Sequence, residues 1–382
     1  MSVKRIAIVC GTRPEAIKLA PVYLELARRR DRFEPLLWAT AQHRQMLDQV
    51  LETFGLRADR DFNLMRPGQT LTMITTAVLE ALEPALAADQ PDLLMVQGDT
   101  TTAFAGALAA FYARTAVAHV EAGLRTETKF APWPEEMNRR LASRLTDLHF
   151  PPTERARANL LAENVPADRI WVTGNTVIDA LAIVVEQVRA RRPEFPPDFP
   201  LDRLANGRRM VLITGHRREN FGPGFESLCR AIAELARRNR DIEFIYPVHL
   251  NPNVREPVGR ILKGIDNVHL TEPLQYQPFV WAMDRCHFLL SDSGGVQEEA
   301  PHLGKPVLVM RETTERPEAL EAGTSRLVGT DFETILREAT RLLEDEAAYL
   351  AMSRASNPFG DGRAAVRIAE VLERHLGVLA PR

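Results

Sequence analysis

The sequence predicts an α/β fold built from two doubly wound domains. Short apolar runs alternate with amphipathic helical runs over nearly the whole chain, which is the pattern of parallel sheets covered by helices. A length of 382 residues is too great for one ordinary core and favours two domains. A proline cluster of linker type lies mid-chain at residues 193–200. We therefore expect two Rossmann-like domains facing a cleft, with ligand sites at the carboxyl ends of the strands.

The predicted elements follow one another along the chain. In the first half, apolar runs predict strands at residues 6–10, 36–38, 93–96, 117–120 and 148–150. Helical periodicity between them predicts helices that include residues 14–29, 71–88 and 101–112. In the second half, strands are predicted at residues 210–213, 244–248, 268–270, 288–290 and 307–310, again separated by helical runs. The last run, residues 364–375, is helical and follows a turn at residues 357–362.

The composition is that of a soluble globular protein. Apolar residues make up 45% and charged residues 26%, and the net charge of −3 carries no signature of nucleic-acid or anionic-membrane binding. The three cysteines are far apart and lack metal or redox spacing, so they predict reduced thiols and a cytoplasmic location. The apolar run at residues 6–10 is too short for a signal peptide, and we expect no run of membrane-spanning length.

The stretch at residues 292–300, DSGGVQEEA, predicts an anion site. It follows the strand at residues 288–290, and its Ser293-Gly294-Gly295 turn leads into a helical run. Free backbone N–H groups and the helix dipole converge at such a turn, and glycine lets a phosphate approach the backbone. The carboxylates of Glu298 and Glu299 would repel a phosphate but can accept hydrogen bonds from sugar hydroxyls. The turn therefore predicts a bound nucleotide with its ribose and phosphates.

Three carboxylates on strand-end loops or a helix start suggest acid–base chemistry. Asp99 follows the strand at residues 93–96, Glu121 ends the next strand, and Glu135 begins a proline-framed helix. Close acids in different environments can divide into a proton donor and a proton acceptor. Asp99 has an alternative role as a helix cap. A divalent metal is the other explanation for three acids, but neither histidine spacing nor a phosphate-binding lysine loop supports one.

Basic side chains at further strand ends suit a diphosphate. Arg13 and Lys18 lie at the helix start after the first strand, where ordinary surface charge is the alternative. His216 follows the strand at residues 210–213 and can donate a hydrogen bond or a proton to a leaving diphosphate, unless it only forms a turn. Arg316 follows the strand at residues 307–310 and can reach a phosphate or sugar oxygen.

Together these segments closely resemble the non-hydrolysing UDP-N-acetylglucosamine 2-epimerases of bacteria. The match runs nearly end to end through the strings GTRPEAIK, TAQHRQMLDQVL, GDTTT, HVEAGLRT, PWPEEMNR, TGNTVIDAL, TGHRREN, YPVHLNPNVREPV, DSGGVQEEAPHLGKPVLVMR, TTERPEA and NPFGDG. The resemblance implies the glycosyltransferase-B type of fold, in which the last helix crosses back to the first domain. It implies a first domain of residues 1–175, joined by a C-terminal helix at residues 360–382, and a UDP-binding second domain of residues 176–359.

The resemblance also implies roles for individual residues. Its catalytic residues fall on Asp99, Glu121, Glu135 and His216. Its UDP contacts fall on Arg13, Lys18, Leu274, Phe279, Ser293, Gly294, Gly295, Glu299 and Arg316. Some members bind a second UDP-GlcNAc as an activator, and the matching segment here includes Gln42, His43 and Gln69. Two departures, Gln97 in place of histidine and Glu127-Thr128-Lys129 after Arg125-Thr126, lie beside the activator or sugar region.

The implied reaction is the reversible inversion of carbon 2 that interconverts UDP-GlcNAc and UDP-ManNAc. UDP is eliminated to leave a 2-acetamidoglucal and is then added back, with no redox cofactor and no metal. The resemblance implies a homodimer that serves polysaccharide biosynthesis, without nucleic-acid or membrane partners. Three alternatives stay open: a hydrolysing relative, a glycosyltransferase of the same fold, and a non-catalytic nucleotide-sugar-binding protein.

Overall fold

The protein consists of two compact units. The computed structural model describes residues 3–40, 44–66, 68–126 and 128–376. Unit 1 comprises Met1–Ala182 and Phe359–Arg382, and unit 2 comprises Ile183–Pro358. The first crossing between the units lies inside a helix, Thr176–Ala190.

Unit 1 is built on a six-stranded parallel sheet. Its strands are β1 (Lys4–Cys10), β2 (Phe33–Ala39), β3 (Arg60–Asp61), β4 (Leu93–Gln97), β5 (Ala116–Val120) and β6 (Leu148–Phe150), in the order β3-β2-β1-β4-β5-β6. The last five residues of β1 are buried, as expected for an apolar run covered on both faces. The strand order reverses between β1 and β4, which are paired with Ile6 opposite Leu93. This reversal places the loops after β1 and β4 side by side, where doubly wound folds bind ligands.

Helices cover both faces of this sheet. They are α1 (Arg13–Arg28), α2 (Arg44–Thr53), α3 (Leu71–Asp89), α4 (Thr101–Tyr112), α5 (Glu135–Leu145), α6 (Glu154–Ala162), α7 (Thr176–Ala190) and, near the end of the chain, α16 (Ala364–His375). The helix α16 packs on α1, where Glu373 accepts a hydrogen bond from Arg29 at 2.8 Å. The C-terminal helix therefore belongs to the same compact unit as the first strand.

Unit 2 repeats the architecture. Its strands are β7 (Met210–Thr214), β8 (Glu243–Pro247), β9 (Val268–Thr271), β10 (Phe288–Ser291), β11 (Val307–Val309) and β12 (Ser325–Leu327), in the order β12-β11-β10-β7-β8-β9. Its helices are α8 (Leu201–Leu204), α9 (Pro223–Arg238), α10 (Pro252–Leu262), α11 (Tyr276–Arg285), α12 (Gly294–Glu299), α13 (Pro317–Glu321), α14 (Phe332–Glu344) and α15 (Glu346–Ser353). The reversal lies between β10 and β7, so the loops that follow these two strands are neighbours.

The prediction of a two-domain, Rossmann-like α/β fold is confirmed. Two strands, β3 and β12, were absent from the sequence-based prediction. Both lie at the edge of a sheet, and their sequences, Arg-Asp and Ser-Arg-Leu, contain charged residues that keep an edge from pairing with other chains. Such strands carry little apolar signal, which is why periodicity does not find them.

The expectation that no segment reaches membrane-spanning length is wrong for α3. This helix of 19 residues is long and apolar enough to cross a membrane by length and composition alone. It instead packs against α4 and contributes Val78, Leu82, Ala85 and Leu86 to the core of unit 1. Much of its remaining surface is exposed, including Met73 at 50%.

Candidate active site

In unit 1 a buried glutamate joins the loops after β1 and β4. The Oε2 atom of Glu15 accepts hydrogen bonds from the N–H groups of Gly11 at 2.9 Å and Thr12 at 2.7 Å, closing a capping box at the start of α1. Its Oε1 atom accepts a bond of 2.5 Å from the Thr100 hydroxyl. Burial raises the pKa of Glu15, and these hydrogen bonds oppose the rise. Sequence reasoning missed Glu15, although the spacing from Thr12 to Glu15 is a capping signature.

The predicted acid Glu121 accepts hydrogen bonds from three side chains. It follows β5, its backbone φ of +62° lies in the left-handed region, and its side chain is only 6% exposed. The Nζ atom of Lys18 lies 2.5 Å from its Oε1, which also accepts a bond of 3.0 Å from Asn175 Nδ2. The amide of Gln97 donates to Oε2. Such a backbone conformation is costly for a residue with a Cβ, so its surroundings must hold it in place.

The second predicted acid, Asp99, is paired with a cation that sequence reasoning did not identify. The Nη2 atom of Arg139, on α5, donates to Asp99 Oδ2 at 2.7 Å. Burial raises the pKa of Asp99; Arg139 opposes the rise, whereas the neighbouring carboxylates of Glu121 and Glu135 add to it. The alternative role of Asp99 as a cap is wrong, because the Thr100 hydroxyl accepts the N–H of Ala103 at the start of α4.

The remaining predicted residues of unit 1 lie close to these acids. Glu135 is half-buried in the first turn of α5, near enough to Asp99 to act on its charge. Arg13 is half-buried as the first residue of α1, and Pro14 takes the second helical position. Lys18 points its ammonium group at Glu121. The structure therefore brings Lys18 and the three carboxylates together.

The predicted activator residues are only partly described. Gln42 and His43 lie outside the described residues. Gln69 holds its own loop: its Nε2 donates to the Leu64 carbonyl at 3.1 Å, and its Oε1 accepts the N–H of Arg66 at 2.7 Å. The activator role stays a prediction.

In unit 2 the predicted anion site is a turn in which neither close packing nor a positive φ requires glycine. Helix α12 begins at Gly294, directly after Ser293. A Cβ added to Gly294 would meet nothing closer than Arg217 Nη2 at 3.9 Å, and one on Gly295 nothing closer than Ser293 Oγ at 3.9 Å. Neither glycine has a positive φ. Packing and backbone conformation both tolerate a side chain here, so the space beside this backbone is open to a ligand.

A buried aspartate connects this turn with the predicted histidine. Asp292 is fully buried, and its Oδ2 accepts the N–H groups of His216 at 2.7 Å and Arg217 at 2.8 Å. Its Oδ1 lies 3.4 Å from His216 Nδ1. Burial lowers the pKa of His216, and Asp292 opposes this. The His216 ring also stacks on His249, with ring centroids 5.3 Å apart. The structure therefore places His216 beside the Ser-Gly-Gly turn, with its backbone anchored.

The other predicted contacts of unit 2 lie on α12, α11 and the loops after β9 and β11. Arg316 donates through Nε to the buried carboxylate of Glu298, so Glu298 is engaged with a cation. Glu299 turns toward the anion site, since its Oε2 lies 4.0 Å from a Cβ position on Gly295. Leu274, after β9, and Phe279, on α11, are both half-buried. Within the described ranges, no cluster of three or more His, Cys, Asp or Glu side chains suits a metal ion.

Comparisons with known proteins agree on one family. The model of a family described as UDP-N-acetylglucosamine 2-epimerase matches residues 25–373. The chain is 56% identical to the UDP-N-acetylglucosamine 2-epimerase of Escherichia coli K12 over 97% of its length and 99% of that protein. It is 55% identical to that of Salmonella typhimurium, with the same coverage of both chains.

Solved structures of the same kind of enzyme match over nearly the whole chain. The UDP-GlcNAc 2-epimerase of Neisseria meningitidis, bound to UDP-GlcNAc, matches with a TM-score of 0.86 and 47% identity, covering 97% of this chain and all of that one. The enzyme of Methanocaldococcus jannaschii, in complex with UDP-GlcNAc and UDP, matches with a TM-score of 0.77 and 30% identity, covering 97% and 99%.

Proposed function

The chain belongs to the UDP-N-acetylglucosamine 2-epimerase family, and we propose that it works by eliminating UDP from the sugar and adding it back. Membership confirms the resemblance drawn from the motifs and makes the chain an epimerase that inverts carbon 2 of UDP-GlcNAc to give UDP-ManNAc. The mechanism is a further step. The observation that carries it is the group of three carboxylates, Asp99, Glu121 and Glu135, with the cations that accompany them.

Elimination suits this chemistry because the proton on carbon 2 is not acidic enough to be removed without departure of a leaving group. One carboxylate takes the proton from carbon 2 as UDP leaves, and another, protonated from solvent, delivers a proton to the opposite face of the 2-acetamidoglucal when UDP adds back. The cation Lys18 and two amides face Glu121, which supports Glu121 as the proton acceptor. The raised pKa of Asp99 supports it as the proton donor.

We assign the UDP contacts chiefly to unit 2. The turn of Ser293, Gly294 and Gly295 presents backbone N–H groups at a helix start, and His216 is anchored beside it by Asp292. These groups would stabilise the charge that develops on the diphosphate as it leaves. The remaining assigned contacts are Arg13, Lys18, Leu274, Phe279, Glu299 and Arg316.

A product analysis tests this function. Purified protein is incubated with UDP-GlcNAc, and proton NMR follows all sugars and nucleotides over time. We expect an equilibrium mixture of UDP-GlcNAc and UDP-ManNAc, in which free UDP stays at a trace. Free ManNAc accumulating in step with UDP would mean that the intermediate is released and that the chain hydrolyses its substrate.

We further propose a homodimer formed through unit 1. Helices α3, α4 and α5 contact one another in sequence, and they carry the exposed apolar side chains Met73, Phe111, Tyr112 and Leu141. Apolar side chains concentrated on neighbouring helices are typical of a protein–protein interface. Light scattering should give twice the monomer mass of 42.9 kDa, and Tyr112→Glu should reduce it. A monomeric wild-type protein would contradict this.

The cytoplasm is the compartment that we propose. Cys10, Cys229 and Cys286 are all buried free thiols, and burial raises the pKa of Cys229 and Cys286 to about 12. Such thiols are protonated and unreactive, as in proteins of reducing compartments. There the product UDP-ManNAc would supply polysaccharide biosynthesis.

A further inference from the structure

Within unit 1, the residues that directly precede α7 lie against the residues at which the chain returns from unit 2. The chain leaves unit 1 along α7, which begins directly after Asn175, and returns at Phe359. The N–H of Asn175 donates to the Phe359 carbonyl at 2.7 Å. The backbones are so close that a Cβ on Gly174 would lie 3.3 Å from the Cα of Gly360. The outgoing and returning segments therefore form one junction, residues 174–175 against residues 359–360.

The side chain of Asn175 reaches from this junction to the proposed proton acceptor. Asn175 is 2% exposed, and its Nδ2 donates to Glu121 Oε1 at 3.0 Å. Its Oδ1 accepts the N–H of Val177 at 3.1 Å, in the first turn of α7. A backbone N–H can only donate, so this contact fixes the orientation of the amide and directs the NH₂ group to Glu121.

We infer that Asn175 is a positioning residue, which holds the Glu121 carboxylate and ties its orientation to the junction of residues 174–175 with residues 359–360. The inference rests on the proposed role of Glu121. Among the described residues, Glu121 is faced by Lys18 from α1, by Gln97 at the end of β4 and by Asn175 at the start of α7. Two further titratable groups interact electrostatically with Glu121: Asp99 after β4 and His119 on β5.

The change Asn175→Asp separates positioning from folding. An aspartate keeps the acceptor for the N–H of Val177 and leaves the backbone bond to Phe359 intact. It replaces the donor to Glu121 by a second carboxylate, so the charged form of Glu121 becomes harder to reach. We expect kcat to fall by up to about a hundredfold while KM stays unchanged. The acid limb of the kcat–pH profile should move to higher pH by about one unit.

A second variant of Asn175 and a control variant elsewhere in unit 1 extend the test. Asn175→Ser keeps an acceptor at the helix start but is too short to donate to Glu121, so it should also lose kcat while its thermal unfolding stays close to wild type. Asn164→Asp, an exposed asparagine of unit 1 with a φ of +62°, is the control for the added charge and should leave the profile unmoved.

Glu121→Gln, measured in parallel, separates this inference from the mechanism. If Glu121→Gln is inactive but Asn175→Asp and Asn175→Ser keep the wild-type kcat and pH profile, the positioning role is overturned and the mechanism stands. If Asn175→Asp does not fold, wild-type kcat in Asn175→Ser still overturns the positioning role. If Glu121→Gln is fully active, both proposals fail.

Discussion

Replacing Glu121 by glutamine is the most informative single perturbation of the proposed mechanism. The change removes a proton acceptor but keeps the size of the side chain and the left-handed backbone at this position. Loss of a proton-transfer group typically slows turnover by about a hundred- to ten-thousand-fold. At about 1.4 kcal/mol per factor of ten, the barrier rises by about 3–5 kcal/mol.

The cost to folding can be worked out from the contacts. Lys18 and Asn175 both donate to Oε1, so the amide oxygen of a glutamine can replace that atom. Its NH₂ group then faces the NH₂ group of Gln97, and one buried donor loses its acceptor. An unsatisfied buried donor costs about 1–3 kcal/mol. Rotation of the Gln97 amide would restore the bond, but the ammonium of half-buried Lys18 would lose the counter-charge of Glu121, so the variant should lose more stability than this hydrogen bond alone accounts for.

Three measurements separate these effects. Turnover is measured by NMR at saturating UDP-GlcNAc, UDP affinity by calorimetry, and stability by thermal unfolding. We expect the loss of turnover to be much larger than any change in affinity for UDP, since Lys18 is an assigned UDP contact that is bonded to Glu121, whereas the other assigned contacts are chiefly in unit 2. The control is Glu163→Gln: Glu163 pairs with Arg125 at 2.8 Å, so the variant should lose stability and keep its turnover.

Near-wild-type turnover in Glu121→Gln would refute the catalytic assignment. A fall in UDP affinity as large as the fall in turnover would instead make Glu121 a binding residue. A loss of turnover in the Glu163 control as well would attribute the effect to general destabilisation of unit 1.

Three further predictions follow from the same structure. Gly294→Ala should leave thermal unfolding unchanged but weaken UDP binding in calorimetry, because the new Cβ meets no protein atom within 3.4 Å and projects into the proposed phosphate site; unchanged UDP affinity would remove the turn from that site. Asp179 accepts hydrogen bonds from the N–H groups of Ala364 and Ala365. Burial raises the pKa of Asp179 from 3.8 to about 6. The contribution of protonated Asp179 to the free energy of unfolding is therefore complete below about pH 4 and is lost as the pH rises through 6. The advantage of wild type over Asp179→Asn in urea unfolding should therefore shrink by up to about 3 kcal/mol across that window, and a constant difference would contradict it. Epimerisation should survive excess EDTA, because the proposed steps move only protons and UDP; its loss, with recovery on adding a divalent ion, would contradict the mechanism.

The positions of the candidate residues could be predicted because they follow strands. Asp99, Glu121 and Ser293 each lie directly after an apolar run, and parallel strands bring their carboxyl ends to one edge of a sheet. Periodicity alone therefore predicts Asp99 and Glu121 at one sheet edge and the anion site at another.

The partners of these residues could not be predicted in the same way. Asn175 lies 54 positions from Glu121, and Arg139 lies 40 positions from Asp99. Each contact depends on strand order and side-chain direction, which local patterns do not contain. In the sequence, Gln97 is notable only as a departure from the family pattern. In the structure, its amide donates a hydrogen bond to Glu121.

Hydrogen exchange at carbon 2 tests the central claim most directly. The enzyme is incubated with UDP-GlcNAc in D₂O, and the C2 proton of both UDP-sugars is followed by NMR as the reaction reaches equilibrium. Removal of the proton by one carboxylate and delivery of a solvent-derived deuteron by another predict deuterium at carbon 2 of UDP-ManNAc from the first turnover, and later of the recovered UDP-GlcNAc. Retention of the original hydrogen in both sugars at equilibrium would contradict the account, because the hydrogen would then be moving within the substrate.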